Sequence, residues 1–363
     1  MNNEELNPQE SENIENVENF ESSETTSASA PTSTSSEWEL GLDPNNRVNV
    51  RLIFEAVDDI KGELQKVVVG QDQTIELMMA AMLTGGHVLL EGLPGIAKTL
   101  TAKLLAKTIN ADFSRIQFTP DLMPTDVSGT SVFNLKESSF YFRKGPIFSN
   151  LVLIDEVNRA PAKTQAALME VMEEKQITYD GITYKMEFPF FVIATQNPVE
   201  QEGTYALPEA QLDRFVFKIR LQFPNLEQEV AIINKFHNDF DAKSTETVHA
   251  KLTPEQLLDF KQKIEQVYIR PELIRYIASV IDNTRNNPDL HLGASTRASL
   301  SIVRTAKAMA AMRGRDFVTP DDIKYVAVPV LNHRLILSHE REMEGMTIDE
   351  VTTGILESVE IPR

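Results

Sequence analysis

The chain has 363 residues, a formal net charge of −19 at pH 7 and no cysteine. This length leaves room for about two domains, and the missing cysteines exclude disulfides, thiolate metal sites and a cysteine nucleophile. No apolar run is long enough to span a membrane, and the N-terminus lacks the positive segment and apolar core of a secretory signal. We therefore predict a soluble, cytoplasmic protein.

Much of the negative charge lies in residues 1–46, which contain 11 Asp or Glu and no Lys or Arg. The segment is rich in Glu, Ser, Thr and Asn and poor in aliphatic residues, so it cannot bury a core. We predict a disordered acidic tail that acts as a solvating extension, with Trp38 as a candidate docking point for a partner.

Residues 92–99 follow a short apolar strand predicted at 87–91 and precede a helix predicted at 99–108. Their sequence, Gly-Leu-Pro-Gly-Ile-Ala-Lys-Thr, matches the phosphate-binding pattern G-x-x-x-x-G-K-[ST], except that Ala97 replaces the second glycine. Glycines let backbone N–H groups approach a triphosphate, while Lys98 supplies a cation and Thr99 a hydroxyl for Mg²⁺. A positive φ at Ala97 would strain the loop. The alternative interpretation is a Gly-Pro turn before an amphipathic helix.

Two further apolar strands end in polar residues. Residues 151–154 are all aliphatic and lead into Asp155 and Glu156, and residues 190–195 lead into Gln-Asn197-Pro. Central parallel strands have this composition, and open α/β sheets bind ligands at the carboxyl ends of their strands. We predict that Asp155 holds Mg²⁺ and that Glu156, on the opposite side of the strand, polarises an attacking water. Alone, such a strand end usually caps a helix, and Asn-Pro is a common turn.

Together with residues 207–215 and 293–297, these segments resemble the MoxR family of AAA+ ATPases, over about residues 50 to 345. The resemblance implies an α/β fold, in which an AAA+ parallel-sheet P-loop domain is followed by an α-helical lid domain. We expect the acidic tail at 1–46, the nucleotide-binding domain at 47–222 and the lid at 223–363.

The resemblance also implies a role for each matched residue. The loop corresponds to Walker A, in which Ala before Lys is often seen in this family, and the two carboxylates correspond to Walker B. Asn197 corresponds to sensor 1, Arg214 to the arginine finger that reaches a neighbouring subunit, and Arg297 to the sensor 2 arginine of the lid. For ATP the predicted residues are Val69, Gly70, Gly92, Leu93, Pro94, Gly95, Ile96, Ala97, Lys98, Thr99 and Leu100; for Mg²⁺ they are Thr99 and Asp155; for catalysis they are Lys98, Glu156, Asn197, Arg214 and Arg297.

The two arginines also allow simpler interpretations. Arg214 near the end of a short helix could complement the helix dipole, and Arg297 could be a solvated surface charge. Within the matched motifs, a helix beginning near Thr296 would bring Arg297 close to the phosphates. Arg159, just beyond the carboxylates, is a further candidate for a contact between subunits.

Two hairpins are predicted beside the sheet. Residues 177–184 alternate apolar and polar around Asp-Gly, which indicates a type I′ turn, and residues 131–143 form the second hairpin around a polar turn. They resemble the pre-sensor 1 hairpin and the helix 2 insert, which line or face the central pore in related ATPases. The alternative is ordinary antiparallel cover on the sheet.

Beyond Leu221 no strand-like alternation remains, and helix starts are predicted near Pro254, Pro271, Thr296 and Pro320. The densest basic clusters of the acidic body lie at residues 136–144 and 313–315, and neither outweighs the overall negative charge, which disfavours nucleic acid as a partner.

The resemblance implies a ring, with a hexamer as the expected size, that couples ATP hydrolysis to remodelling, assembly or activation of partner proteins. Proteins with von Willebrand factor A domains are the expected partners. The alternatives are an ATP-gated switch with negligible hydrolysis and a nucleic-acid motor.

Overall fold

A computed structural model describes residues 47–93, 95–198, 204–238 and 243–362. The predicted acidic tail at 1–46 and Pro94 of the phosphate loop lie outside these ranges. The described residues all belong to one unit, Leu42–Arg363. Within the described ranges, no helix is both long and apolar enough to cross a membrane.

The centre of the fold is a parallel sheet of five strands. Its spatial order is β2-β5-β8-β1-β9, and every neighbouring pair runs parallel. The predicted parallel α/β sheet is therefore confirmed. These strands are β1 (Val88–Glu91), β2 (Phe113–Gln117), β5 (Leu151–Asp155), β8 (Phe191–Gln196) and β9 (Phe217–Arg220), and the shorter hairpin strands are β3 (Gly129–Asn134), β4 (Ser139–Lys144), β6 (Gln176–Tyr179) and β7 (Ile182–Lys185).

Both faces of the central sheet are covered by helices. Successive strand residues point to opposite faces, so Leu151 and Leu153 join one hydrophobic core while Val152 and Ile154 join the other. This double burial explains the unbroken aliphatic runs. The helices are α1 (Arg51–Gln65), α2 (Asp72–Leu83), α3 (Lys98–Thr108), α4 (Pro124–Ser128), α5 (Ala162–Glu174), α6 (Glu209–Leu212), α7 (Leu226–Phe236), α8 (Pro254–Glu265), α9 (Pro271–Asn286), α10 (Thr296–Met312), α11 (Pro320–Leu331), α12 (His339–Met343) and α13 (Ile348–Ser358).

The region after β9 is helical, as predicted, and its helices start at the expected signals. Thr253 accepts a hydrogen bond from the Gln256 amide at the start of α8, and Thr319 caps α11 together with Asp322. The expectation of no further strand is wrong, because Leu290–Leu292 (β10) and Ile336–Leu337 (β11) form a small antiparallel sheet. Strands of two or three residues are too short to show an alternating pattern.

Both predicted hairpins are present. Asp180 and Gly181 have φ values of 51° and 77°, as a type I′ turn requires. Phe142 of the β3–β4 hairpin stacks on Tyr179 and Tyr184 of the β6–β7 hairpin, with ring centroids 4.9 and 4.7 Å apart. Because isolated two-stranded hairpins are marginally stable, this aromatic contact holds the two hairpins together.

Candidate functional site at the carboxyl edge of the sheet

The predicted phosphate loop and the polar strand ends meet at one edge of the sheet. Strand β1 leads into Gly92, whose N–H donates to the carbonyl of Gln196 at the end of β8 over 3.2 Å. Asp155 ends β5, and Asn197, which is 8% exposed, follows β8. Because β5, β8 and β1 are adjacent and parallel, their carboxyl ends place these residues side by side.

The phosphate loop has the strain that the sequence suggested. Ala97 has a φ of 56° and lies in the left-handed region, directly before α3 begins at Lys98. The Gln71 side chain donates to the carbonyl of Ile96 over 2.7 Å and accepts from the Thr101 hydroxyl over 3.1 Å. This amide, which sequence reasoning missed, ties the loop to α3 and fixes the strained conformation.

Lys98 lies close to the two predicted carboxylates. Its ammonium donates to the carbonyl of Gly92 over 2.6 Å, at the mouth of the loop. Burial lowers the pKa of Lys98, and the negative charges of Asp155 and Glu156 partly offset this effect. The site therefore brings the ammonium group of Lys98 and the two carboxylates together at the ends of β1 and β5.

The two carboxylates are held by different partners. Asp155 accepts from Arg115 Nε over 2.6 Å and from the Thr195 hydroxyl over 3.3 Å. Glu156 lies beyond the end of β5 with a φ of 59°, so the turn sets the direction of its side chain. The prediction that strand alternation would set this direction is therefore wrong. It pairs with Arg159 over 2.9 Å, and Gln117 donates to it over 2.8 Å. Strain of this kind in a non-glycine residue is typical of functional sites.

A cavity of about 440 Å³ opens beside the loop and contains Val69 and Gly70 together with Gly95, Ile96, Ala97 and Leu100. Gly70 has a φ of 74°, and a Cβ there would lie 2.6 Å from the side-chain carbon of Gln228. Any other residue at position 70 would therefore require the end of the Gln228 side chain to move and would be strained at this φ. Sequence reasoning missed the α7 wall of this cavity, which consists of Gln228, Ile232 and Phe236.

Arg214 and Arg297 lie at the opposite, amino end of the sheet. They line a cavity of about 300 Å³, here called the arginine pocket, together with Gly86 and His87 immediately before β1. The four residues of β1 separate this pocket from the phosphate loop by about 13 Å of strand. The expectation that Arg297 approaches the phosphates of its own chain is wrong, because the lid helix α10 packs against α1 and α2.

Both arginines are held by one carboxylate in the arginine pocket. Glu173, at the end of α5, pairs with Arg214 over 2.7 Å and with Arg297 over 2.9 Å. Arg214 also donates to the carbonyl of Ala210, and its buried Nε has no hydrogen-bond partner among the described residues. One guanidinium donor of Arg214 thus has no protein acceptor among the described residues.

Comparison with known sequences agrees with this architecture. Residues 87–217 match the model of the ATPase family associated with various cellular activities (AAA), and residues 282–355 match the AAA lid domain. Chaperone MoxR1 from Mycobacterium tuberculosis is 41% identical over 310 residues, which cover 83% of this chain and 81% of that protein. The chain belongs to the MoxR family of AAA+ ATPases.

Other proteins match over similar lengths. The protein YeaC from Bacillus subtilis is 43% identical over 86% of this chain and 95% of its own length. Protein MoxR from Methylorubrum extorquens is 28% identical over 85% of this chain and 96% of its own length. A crystal structure from Cytophaga hutchinsonii matches with a TM-score of 0.80 at 44% identity, over 86% of this chain and 97% of that one. The resemblance and the α/β fold with a helical lid are thus confirmed.

In this MoxR-family chain, the segment after α11 anchors the lid to the residues around Arg214. Arg334 is 8% exposed, and its guanidinium donates to Asp213 Oδ1 over 2.6 Å and to the carbonyl of Phe215 over 2.7 Å. His333 bonds the same carbonyl over 3.0 Å, and Asn332 donates to the carbonyl of Lys218 over 3.0 Å. Asp213 also accepts from Arg297. These contacts tie the lid to the residues on both sides of Arg214.

Proposed function

We propose that this chain is a cytoplasmic, magnesium-dependent ATPase that works as a homo-hexameric ring and remodels or activates partner proteins. The observation that supports this proposal most directly is the separation of the two halves of the site. The phosphate loop and carboxylates lie at one end of the sheet, and Arg214 and Arg297 lie at the other. This separation supports a site in which a neighbouring copy brings its arginines to the nucleotide.

The residues at the carboxyl edge fit a magnesium nucleotide. Asp155 and Thr99 offer oxygen atoms, which Mg²⁺ prefers, and the buried position of Asp155 fixes its carboxylate. Bound Mg²⁺ would neutralise charge on the β and γ phosphates. Lys98 would bind those phosphates once it leaves the carbonyl of Gly92.

Hydrolysis requires a group that orients water. Glu156 would accept a proton from the attacking water, and Asn197 would orient that water from the adjacent strand β8. In the observed state Glu156 is paired with Arg159, so binding of nucleotide must rearrange this pair before Glu156 can act. The trans arginines would then stabilise the charge that develops on the γ-phosphate.

The exposed surface favours a protein partner. The tip of the β3–β4 hairpin exposes apolar side chains, with Phe133 at 46%, Leu135 at 84% and Phe140 at 71%. Such clusters mark interaction surfaces. A partner with a von Willebrand factor A domain is proposed from the family resemblance.

A nucleic-acid motor is less well supported. Of the two basic clusters, the one in the lid is neutralised, because Arg313 and Arg315 both pair with the buried carboxylate of Asp322 over 3.0 and 2.7 Å. Lys144 in the insert lies over the ring of Phe148 at 5.1 Å. Neither cluster forms the continuous basic stripe that a nucleic-acid backbone requires.

The test is ATP turnover per subunit as a function of chain concentration. We expect turnover to rise with concentration, because active sites are completed between subunits, and to be abolished by Glu156→Gln. Glu174→Gln, an exposed carboxylate at the end of α5, is the matched control. Turnover that is independent of concentration and insensitive to Glu156→Gln would contradict the proposal and favour an ATP-gated switch.

A further inference from the structure

A second cavity continues from the arginine pocket along the lid. This lysine pocket has a volume of about 400 Å³ and shares Thr84, Gly85, Lys175 and Arg304 with the arginine pocket. Its walls are the end of α2, the residue after α5, and the facing sides of α8 and α10. Four cations and one carboxylate line it, namely Lys175, Lys261, Arg304, Lys307 and Glu265.

The glycine at the base of the lysine pocket lets two ammonium groups approach each other. A Cβ on Gly85 would lie 3.4 Å from Lys175 Nζ and 3.7 Å from Lys261 Nζ. The two nitrogens are therefore within about 7 Å of each other, a separation at which like charges repel appreciably. Any side chain at position 85 would fill the space that these ammonium groups share.

The lysines of the lysine pocket contact backbone carbonyls and an aromatic ring. Lys175 donates to the carbonyl of Gly85 over 3.0 Å, and Lys307 donates to the carbonyl of Glu265 over 2.9 Å. These bonds complete the ends of α2 and α8, but each uses one of three ammonium donors. Lys261 lies over the ring of Phe188 at 5.4 Å. Within the described ranges, none of the four cations forms an ion pair, although acidic residues exceed basic ones by 54 to 35 along the chain.

The crowding of positive charge in the lysine pocket affects the pKa values of its lysines. Burial lowers the pKa of Lys175, and the charges of Lys261 and Arg304 lower it further. Burial also lowers the pKa of Lys307, which the carboxylate of Glu265 partly offsets. An anion in the pocket would relieve this repulsion.

We propose that the lysine pocket binds a compact polyphosphate anion, of the class of pyrophosphate or a nucleoside polyphosphate. The volume is within the usual range of small-molecule sites, about 300–1,000 Å³, and is too small for a folded partner. A diphosphate places several acceptor oxygens and multiple charges within the span of the four cations, whereas a carboxylate side chain brings one charge. This inference does not depend on the proposed ATPase function, because the lysine pocket is separate from the phosphate loop.

The test is calorimetric titration of inorganic pyrophosphate into the full chain without nucleotide, with Lys98→Ala in every sample so that the phosphate loop lacks its cation. We expect one saturable site per chain. Lys261→Ala and Arg304→Ala should each weaken binding about 10- to 100-fold, since each removes a charge-assisted contact, without disturbing a helix end. Lys263→Ala, on the same helix but paired with Asp259 over 2.6 Å, is the matched control and should bind as the chain with Lys98→Ala alone does.

A substitution in the arginine pocket shows whether pyrophosphate binds in the lysine pocket or in the arginine pocket. If pyrophosphate binds among the lysines, Arg214→Ala should leave its affinity unchanged. Loss of binding in Arg214→Ala with retention in Lys261→Ala would overturn the proposal, because the anion would then occupy the arginine pocket that faces a neighbour's nucleotide. The absence of saturable binding, or equal weakening by Lys263→Ala, would also overturn it.

Discussion

The separation of Arg214 from the phosphate loop leads to a quantitative expectation for mixed rings. An Arg214→Ala chain keeps an intact loop but offers no arginine, and a Lys98→Ala chain keeps Arg214 but has lost the loop cation. Removing such an arginine lowers turnover by about 10³- to 10⁵-fold, so each variant alone should be nearly inactive. The strand β1 holds the two groups about 13 Å apart, so neither chain can repair its own site.

When Arg214→Ala and Lys98→Ala chains are mixed and exchange subunits at random, only one type of interface has a complete active site. It pairs the loop of an Arg214→Ala chain with Arg214 of a Lys98→Ala chain. At equal amounts of the two variants, about one quarter of the interfaces have this composition, and turnover should return to roughly a quarter of the unmodified value if sites act independently.

The assay is steady-state phosphate release at a fixed total chain concentration while the ratio of the two variants is varied. The recovered turnover should peak at equal mixing and vanish at both extremes. Arg275→Ala, an exposed arginine on α9, replaces Arg214→Ala in the control and should give turnover that falls with added Lys98→Ala. No recovery at any ratio, with exchange verified by fluorescence transfer, would refute a trans role for Arg214.

Three further expectations concern single residues. Glu173→Gln should raise turnover at low chain concentration by about two- to tenfold, because two half-exposed ion pairs no longer retain the arginines; lower turnover in the same assay would contradict this. Ala97→Val should weaken binding of a fluorescent ATP analogue at least tenfold, whereas Ala97→Gly should not, because a β-branched residue is poorly tolerated at a φ of 56°. Burial lowers the pKa of His87 to about 3, below its value of about 6.5 in the unfolded chain. Its contribution to stability is therefore complete above pH 6.5 and is lost as the pH falls. At pH 5 the free energy of unfolding is lower by about 2 kcal/mol. Urea titrations at pH 7.5 and pH 5 should show this decrease in the unmodified chain and a smaller decrease in His87→Gln.

The central strands could be predicted from sequence because they are buried on both faces. Strands β1, β5 and β8 agree with their predicted bounds to within one residue, since runs of three to five consecutive apolar residues are rarely placed outside a buried element. Strand β2, with the sequence Phe-Ser-Arg-Ile-Gln, lies at the sheet edge and is partly exposed. Its mixed composition gives no comparable signal, and so Arg115, the partner of Asp155, was missed.

The partners of the site residues depended on long-range packing that motifs do not encode. Gln228 and Phe236 reach the cavity beside Gly70 only because α7 folds back over the start of α2. A motif shows which residue follows a strand. It does not show which side chain faces that residue, and at Gly70 this side chain comes from α7, more than 100 residues further along the chain. Sequence therefore located the loop and the carboxylates, while their ion pairs required the structure.

The error over Arg297 has a consequence for assembly. Because the lid packs on α2, Arg297 joins Arg214 at the amino end of the sheet, and each chain presents its loop and its arginines on opposite sides. A two-fold dimer uses the same patch on both subunits, so it cannot bring the arginines of each chain to the loop of the other unless that patch spans both ends. A head-to-tail contact does so at every interface, and it closes into a ring when the rotation between neighbours allows. The position of the lid, which the motif around residues 293–297 did not indicate, therefore supports the proposed ring.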